Sequence, residues 1–340
     1  MNVQVRPVSR PDVDGLIPLL SRGFDHPWPP EEWRRILDLR STGKQPNLGF
    51  VLESNGVLVG FLGAIYSERL VAGRLERFCN LTSWYTEPEF RSSGTLLLMA
   101  VLSQPGYTFT TLTPSPTGTQ VIKALGFRPL ESYKVMCSPS LYRALVEKKR
   151  NLQPGGRLYK AQRALEILIE SSLVTCVDLL AHRNSSPEEI DQRQIEVVVG
   201  VERIRPLLST TEQQLLDDHP QCGHFLVLDE HSYSYVVTTN RKLSFGRRSL
   251  VDFVVSDVLH LSASRPAVRH WQSLCRVIAT CQRSQAVITD ERFFDGHPPN
   301  GLRLPYSSYF MSRTGLSCGQ IDSLYSEIGL LDLVFYVRTV

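Results

Sequence analysis

The 340-residue sequence predicts an α/β protein: a mixed sheet with flanking helices, built twice in tandem and joined by a helical connector. Three observations carry this expectation. Strand-like and helix-like segments alternate through both halves. Asn55-Gly56, set between the apolar runs GFVLE and VLVGFLGAIY, is a strong local hairpin signal. The third is spacing. Phe50 to Arg91 and Arg91 to Phe127 span 41 and 36 residues, and Phe225 to Arg265 and Arg265 to Leu302 span 40 and 37. Matching intervals in two patterned halves indicate duplication.

Taken in order, VQVRPV reads as a strand, and Val13, Leu16, Ile17 and Leu20 give the segment from Arg10 to Phe24 a helical apolar face. DHPWPP breaks that helix, and EEWRRILDLR starts another just after prolines suited to a first turn. The Asn55-Gly56 hairpin follows, then the long strand LERFCNLTSWYT, a helix from Gly94, the strand YTFTTL, a helix around TGTQVIKAL and the strand FRPLESYKVM. The first domain is expected over 1–139, a polar helical connector interrupted at Pro154-Gly155-Gly156 over 140–190, and a second domain over 191–340. That half repeats the order: QIEVVVG, a helix near VERIRPLLSTTEQQLL, the hairpin HFLVLDEHSYSYVVTT, the strand SLVDFVVSDVLHLS, a helix from Pro266, AVITD, and LRLPYSSYFMSR.

Bulk properties exclude several function classes. A net charge of +3 with no basic stripe gives no case for nucleic acid. The connector's Lys148, Lys149, Arg150, Arg157 and Lys160 read as a solvated helix face before they read as an anion site. The most apolar stretch, LEILIESSLVTCVDLLA, carries Glu166, Glu170 and Asp178, which argues against a membrane span. No apolar run opens the sequence, and seven cysteines lack any CxxC spacing, so the expectation is a cytoplasmic protein with reduced thiols.

The stretch TEPEFRSSGT, residues 86–95, carries the chemistry. A strand that ends at Thr86 and runs through R-S-S-G-T into a helix places backbone N–H groups and the positive end of the helix dipole at one point, suited to a pyrophosphate. Gly94 permits close approach, Ser92, Ser93 and Thr95 add hydroxyls, and Arg91 adds a guanidinium fork. The plain alternative is a capped turn with a solvated arginine.

These residues resemble the acyl-CoA-binding signature of the GCN5-related N-acetyltransferases, [RQ]-x-x-G-x-[GA], and ALGF at 124–127 resembles the Gly-Phe that opens the family's next strand. The resemblance covers residues 3–137. It implies acetyl-CoA or another acyl-CoA lying where the fourth and fifth strands splay, with its pyrophosphate on amides from Arg91 to Thr95 and its pantetheine beside Trp84 to Thr86. It also implies transfer of the acyl group to an amine of a small molecule or amino sugar, without a metal.

The sequence departs from the pattern in places. Leu96 holds the last Gly/Ala slot, Ile122 the place of the usual tyrosine acid, and Ser115 lies near the usual asparagine. Alternation puts Phe78, Asn80, Thr82 and Trp84 on one strand face. Asn80 falls near a glutamate that some family members use; it either holds a water that relays a proton or is a satisfied sheet asparagine. Glu76 and Glu87 are further candidate bases, and Tyr85 and Tyr133 candidate acids. The second half reads SASRPAVRHW in place of RSSGT, a degenerate copy without the glycine.

Gly315 to Gly319 matches G-x-S-x-G, but no histidine follows His297, so a hydrolase triad does not assemble. His219, Cys222 and His224 with Asp217 and Asp218 fit no common zinc spacing. Two readings stand: an acyl-CoA-dependent N-acyltransferase, and a non-catalytic relative that keeps the fold for binding. Specificity for the acceptor is expected from helices 10–24 and 31–40, with Trp28 and Trp33.

Overall fold

The computed structural model describes residues 2–137 and 196–326, apart from 25–29, 32, 35–36, 38–44, 72, 131–132, 244–252, 263–264, 296, 306–307 and 313–314. The expected connector and its basic cluster, Trp28 and most of the helix expected over 31–40 lie outside the described residues. The chain divides into two units, residues 1–131 with 307–331 and residues 132–306 with 332–340.

The first unit holds a seven-stranded mixed sheet in the order β1-β2-β3-β4-β5-β14-β6. The strands are β1 (Val3–Pro7), β2 (Gly49–Ser54), β3 (Val57–Val71), β4 (Arg74–Thr86), β5 (Thr108–Thr111), β6 (Arg128–Pro129) and β14 (Tyr309–Met311). The β2–β3 hairpin turns at Asn55 and Gly56, both at positive φ (51° and 78°), as the sequence implied. β4 and β5 are parallel, and the other pairs are antiparallel. Helix α1 (Val13–Gly23) follows β1, α2 (Gly94–Leu102) joins β4 to β5, and α3 (Pro116–Ala124) joins β5 to β6. Leu97, Leu98 and Val101 of α2 and Ile122 of α3 bury against Leu52, Leu62, Cys79, Leu81 and Phe109 of the sheet. Each such aliphatic side chain contributes about 1.5–3 kcal/mol.

The second unit holds a sheet in the order β8-β9-β10-β11-β12-β7-β13. Its strands are β7 (Tyr133–Cys137), β8 (Glu196–Val199), β9 (Gly223–Leu228), β10 (Tyr233–Leu243), β11 (Phe253–Leu261), β12 (Ala286–Asp290) and β13 (Leu302–Pro305). Helices α4 (Val201–Ile204), α5 (Thr210–Asp218), α6 (Arg265–Arg269) and α7 (Trp271–Gln282) complete it. Trp271, Leu274, Cys275 and Ile278 of α7 pack on Val236, Val258 and Val287.

The two sheets therefore share one strand order. They also share an exchange that the sequence did not disclose. The segment read as one strand, FRPLESYKVM, divides into β6 in the first sheet and β7 in the second. LRLPYSSYFMSR divides in the same way into β13 in the second sheet and β14 in the first. Each sheet thus receives its sixth strand from the other half of the sequence. Apolar periodicity marks these segments as strands, but their partners are set by pairing far along the chain.

Candidate functional site

β4 and β5 pair at only three positions, Phe78 with Thr108, Cys79 with Phe109 and Asn80 with Thr110. β4 then runs on to Thr86 with no partner from β5. A β-bulge coincides with the parting. The β3 register steps from Gly63–Thr82 to Phe61–Tyr85, and Ser83 has φ 52°. The extra residue bends and twists β4, which opens a cleft. The Glu87 N–H donates to the Val59 carbonyl at 2.8 Å, so alternation turns the Thr86 N–H away from β3, toward that cleft.

The bulge also inverts the side-chain phase, which corrects the expected grouping of Trp84 with Asn80 and Thr82. Trp84 joins the helix-side core with Leu97 and Ile122, while the Tyr85 ring packs 6.4 Å from that of Phe24 on the opposite face. Thr86 shares the side of Trp84, because a Cβ built on Gly94 would lie 2.9 Å from Thr86 Oγ1 and 3.8 Å from Trp84 Nε1.

The loop itself is a 3-10 turn over Pro88–Ser93 that runs into α2. The Gly94 N–H donates to the Arg91 carbonyl, closing this turn, so that amide is engaged within the loop rather than offered outward. Gly94 sits at φ −60°, a conformation open to any residue. The close approach of Thr86 is what calls for glycine there. Arg91, Ser92 and Thr95 are exposed and Ser93 is half-buried. Thr86 Oγ1 is buried and has no hydrogen-bond partner. It lies between Gly94 and Gly60 of β3, and a buried hydroxyl left unpaired costs about 1–3 kcal/mol.

The three residues expected to handle protons are not brought together. Asn80 is 1% exposed and its Oδ1 accepts from the Thr110 hydroxyl at 3.0 Å, so it braces β4 against β5 where they last meet. Glu76 lies ten residues before Thr86 on β4, about 33 Å along an extended strand. Tyr133 lies on β7, in the second sheet; it is exposed, with the Arg303 guanidinium 4.0 Å from its ring centroid. Ile122 is buried in the core, and Ser115 caps α3 by accepting the Gly118 N–H at 3.1 Å.

A polar group near the end of β4 that shares the Asn80 face is Tyr85. Its hydroxyl donates to Glu87 at 2.9 Å, and Arg22 of α1 donates to the other Glu87 oxygen through Nε (3.0 Å) and Nη2 (2.8 Å). Burial and the Glu87 carboxylate raise the Tyr85 pKa, so the phenol stays protonated, while the Arg22 hydrogen bonds lower that of Glu87. Sequence pattern signals neither Arg22 nor the phase shift that places Tyr85 here.

In the second unit, β11 pairs β12 over Val255–Ala286, Ser256–Val287 and Asp257–Ile288, which aligns Asp257 with Asn80. β11 also bulges, at Leu259, where the register steps from Thr238–Val258 to Val237–His260. Asp257 is fully buried between Lys134 (Nζ to the two carboxylate oxygens, 3.0 and 2.9 Å) and Arg241. The turn after β11 is closed by the protein: the Ala267 N–H donates to Ser234 Oγ at 3.0 Å. His219 and His224 also bond to protein atoms, His219 Nδ1 with the Leu215 carbonyl, and His224 with the Tyr235 hydroxyl and the His219 carbonyl. No helix among the described residues is long and apolar enough to cross a membrane.

No protein-family model matches the sequence, and no curated protein matches it. Solved structures do. A GCN5-related N-acetyltransferase from Anabaena variabilis aligns over 91% of this chain and 72% of its own, at 10% identity and a TM-score of 0.53. One from Kribbella flavida aligns over 91% and 70%, at 13% identity and a TM-score of 0.49. The N-myristoyltransferase of Saccharomyces cerevisiae with bound myristoyl-CoA aligns over 98% and 89%, at 11% identity and a TM-score of 0.41. At such identities the likeness concerns backbone alone. With two mixed sheets of one strand order and a splayed, bulged β4, this chain has the fold of a GCN5-related N-acetyltransferase.

Proposed function

We propose that the first unit binds an acyl-CoA and transfers its acyl group to an amine of a small molecule. The observation that carries this is the parting of β4 from β5 after the Asn80–Thr110 pair, which leaves the β4 edge unpaired up to Thr86, beside the start of α2. An acyl-CoA suits such a place chemically. Its arm carries amides that can pair with the free edge of β4 near Thr86. Its pyrophosphate suits the positive end of α2, the hydroxyls of Ser92, Ser93 and Thr95, and Arg91.

The reaction asks little of side chains. The amine nitrogen bonds to the thioester carbonyl carbon, the C–S bond breaks, the nitrogen loses a proton and the thiolate gains one. Positioning supplies most of the rate, and a free N–H on the β4 edge steadies the carbonyl oxygen as charge develops. Tyr85, kept protonated and oriented by Glu87, is the proton carrier we assign on the acceptor face. The second unit is read as a copy that holds no acyl-CoA, because its corresponding turn is closed by Ser234.

Calorimetry with acetyl-CoA and longer acyl-CoAs tests the reading, with one site per chain expected. No heat and no thermal shift at millimolar ligand refutes it, and two sites per chain refute the closed second unit. A second reading, binding without turnover, is favoured by Ile122 at the tyrosine position and by the burial of Asn80. Thiol release on incubation with a panel of amines separates the two.

A further inference from the structure

The groove between the first turns of α2 and α3 already holds something: the indole of Trp84. A Cβ on Gly94 would lie 3.8 Å from Trp84 Nε1, and one on Gly118, in the first turn of α3, 3.9 and 4.0 Å from Cε3 and Cζ3. The ring therefore spans the gap from one helix start to the other, on the side of the sheet where β4 has left β5. It rests against the core of Leu97, Leu98 and Ile122 but stays half-buried. The bulge at Ser83 puts it there, since an unbroken strand would direct residue 84 to the other face. A Cβ at either flanking glycine would meet the ring only at ordinary contact distance, so the indole fits between the two helix starts without crowding them.

A thioester arm that pairs with the edge of β4 near Thr86 and reaches the start of α2 must use this same groove. Ring and arm cannot occupy it together. We infer that Trp84 governs access of the CoA arm: its indole fills the groove in the free protein and swings out of it before or as the arm enters. This inference rests on the acyl-CoA reading above. A protein whose competent form is a fraction of the population binds more weakly by that fraction. Removing the ring should therefore tighten binding, the opposite of what loss of a ligand contact or of core packing would do. The rate of association should reveal the same step. If the ring must leave first, the observed rate levels off at high ligand, at the rate of opening.

The test uses free CoA as the probe and the full chain, with Kd from calorimetry and association from stopped flow. Trp84→Ala is expected to bind CoA at least tenfold more tightly, with an association rate that rises linearly where the natural protein saturates. Trp84→Phe should fall between the two. If Trp84→Ala fails to melt cooperatively, Trp84→Leu, which keeps apolar contact with α2, is judged by the same readings. Tight binding by the variant and none by the natural protein supports the gate in its fully closed form. A folded variant that binds CoA equally or more weakly overturns it and leaves the acyl-CoA site standing. If neither protein binds CoA at millimolar concentration, the acyl-CoA reading itself has failed, and the gate with it.

Discussion

At the end of β4 a threonine hydroxyl is buried without a partner and the strand edge toward β5 is unpaired, whereas at the end of β11 the serines close the turn. Ser234 Oγ takes the Ala267 N–H, Ser262 Oγ takes the Tyr235 N–H at 2.7 Å, and the Ser262 N–H donates back to the Tyr235 carbonyl at 2.9 Å. Both strands hold the same place in their sheets and both bulge just before the turn. The geometry that opens a cleft is thus common to the two halves, and the accounting of donors distinguishes them. Buried polar groups in a folded chain find partners. At these two turns the serines of the second copy pair within the protein, and under the acyl-CoA reading the open edge of the first receives its partner from the ligand. The aligned positions Asn80 and Asp257 differ in the same spirit. The first is a neutral amide that accepts from the Thr110 hydroxyl, the second a carboxylate held between two cations.

The largest expected effect lies in that last difference. Asp257→Ala removes the buried carboxylate that Lys134 and Arg241 share, which should remove about 3–5 kcal/mol of stability. Asn80→Ala loses the bond from Thr110 and should remove about 1–3 kcal/mol. Urea denaturation of the two variants measures both. Equal losses would mean that the ionic cluster is no more deeply embedded than the amide, and the contrast between the halves would lose its strongest member.

Much of this contrast was legible in the residues. Asn55-Gly56 located the β2–β3 hairpin because a two-residue turn at positive φ is encoded locally. RSSGT marked the start of α2, and its absence in SASRPAVRHW marked the second turn as different. Two things were not legible. Period-two alternation placed Trp84 with Asn80, and a one-residue bulge, visible only in the register against β3, reversed that assignment. Tyr133 was grouped with the first sheet because it follows β6 closely in sequence, whereas strand pairing with β12 and β13 places it in the second. Both failures concern partners distant in sequence, about which a local pattern is silent.

A smaller effect sharpens the comparison at the two turns. Arg91→Ala should weaken CoA binding ten- to hundred-fold, about 1.5–3 kcal/mol for a charge-assisted phosphate contact, while Arg265→Ala leaves it unchanged. Gly94→Val should impair both affinity and stability, since its Cβ would be forced to within 2.9 Å of Thr86 Oγ1. Titrations of CoA into the three folded variants decide the matter. Unchanged affinity in Arg91→Ala removes that arginine from the site, and a loss in Arg265→Ala equal to that in Arg91→Ala contradicts the closure of the second turn.

The smallest expected effect is a difference in acid sensitivity. His224 is buried, and the His219 carbonyl can only accept, so Nε2 carries the proton and donates at 2.9 Å while Nδ1 accepts from the Tyr235 hydroxyl at 2.7 Å. Burial lowers the His224 pKa below the ordinary 6.5 and raises that of Tyr235, so the phenol remains a donor throughout the neutral range. As pH falls below 6.5, the unfolded chain takes up a proton that the folded chain refuses. The stability contributed by the neutral ring is therefore present above that pH and is lost as pH falls through the folded value, with a slope of at most about 1.4 kcal/mol per pH unit. The described residues of the first unit contain no histidine. Their perturbed acids are Asp12, lowered chiefly by its hydrogen bonds from Arg6, and Glu87, lowered chiefly by those from Arg22, and these contributions are lost only as pH falls below the ordinary carboxylate values of 3.8 and 4.5. Hydrogen exchange between pH 7.5 and 5 should then show β9 and β10 losing protection while β1 and β2 keep theirs, with the difference abolished in His224→Gln. A parallel decline in both sheets, or its persistence in that variant, would place the acid-sensitive group elsewhere and leave the two halves alike in this respect.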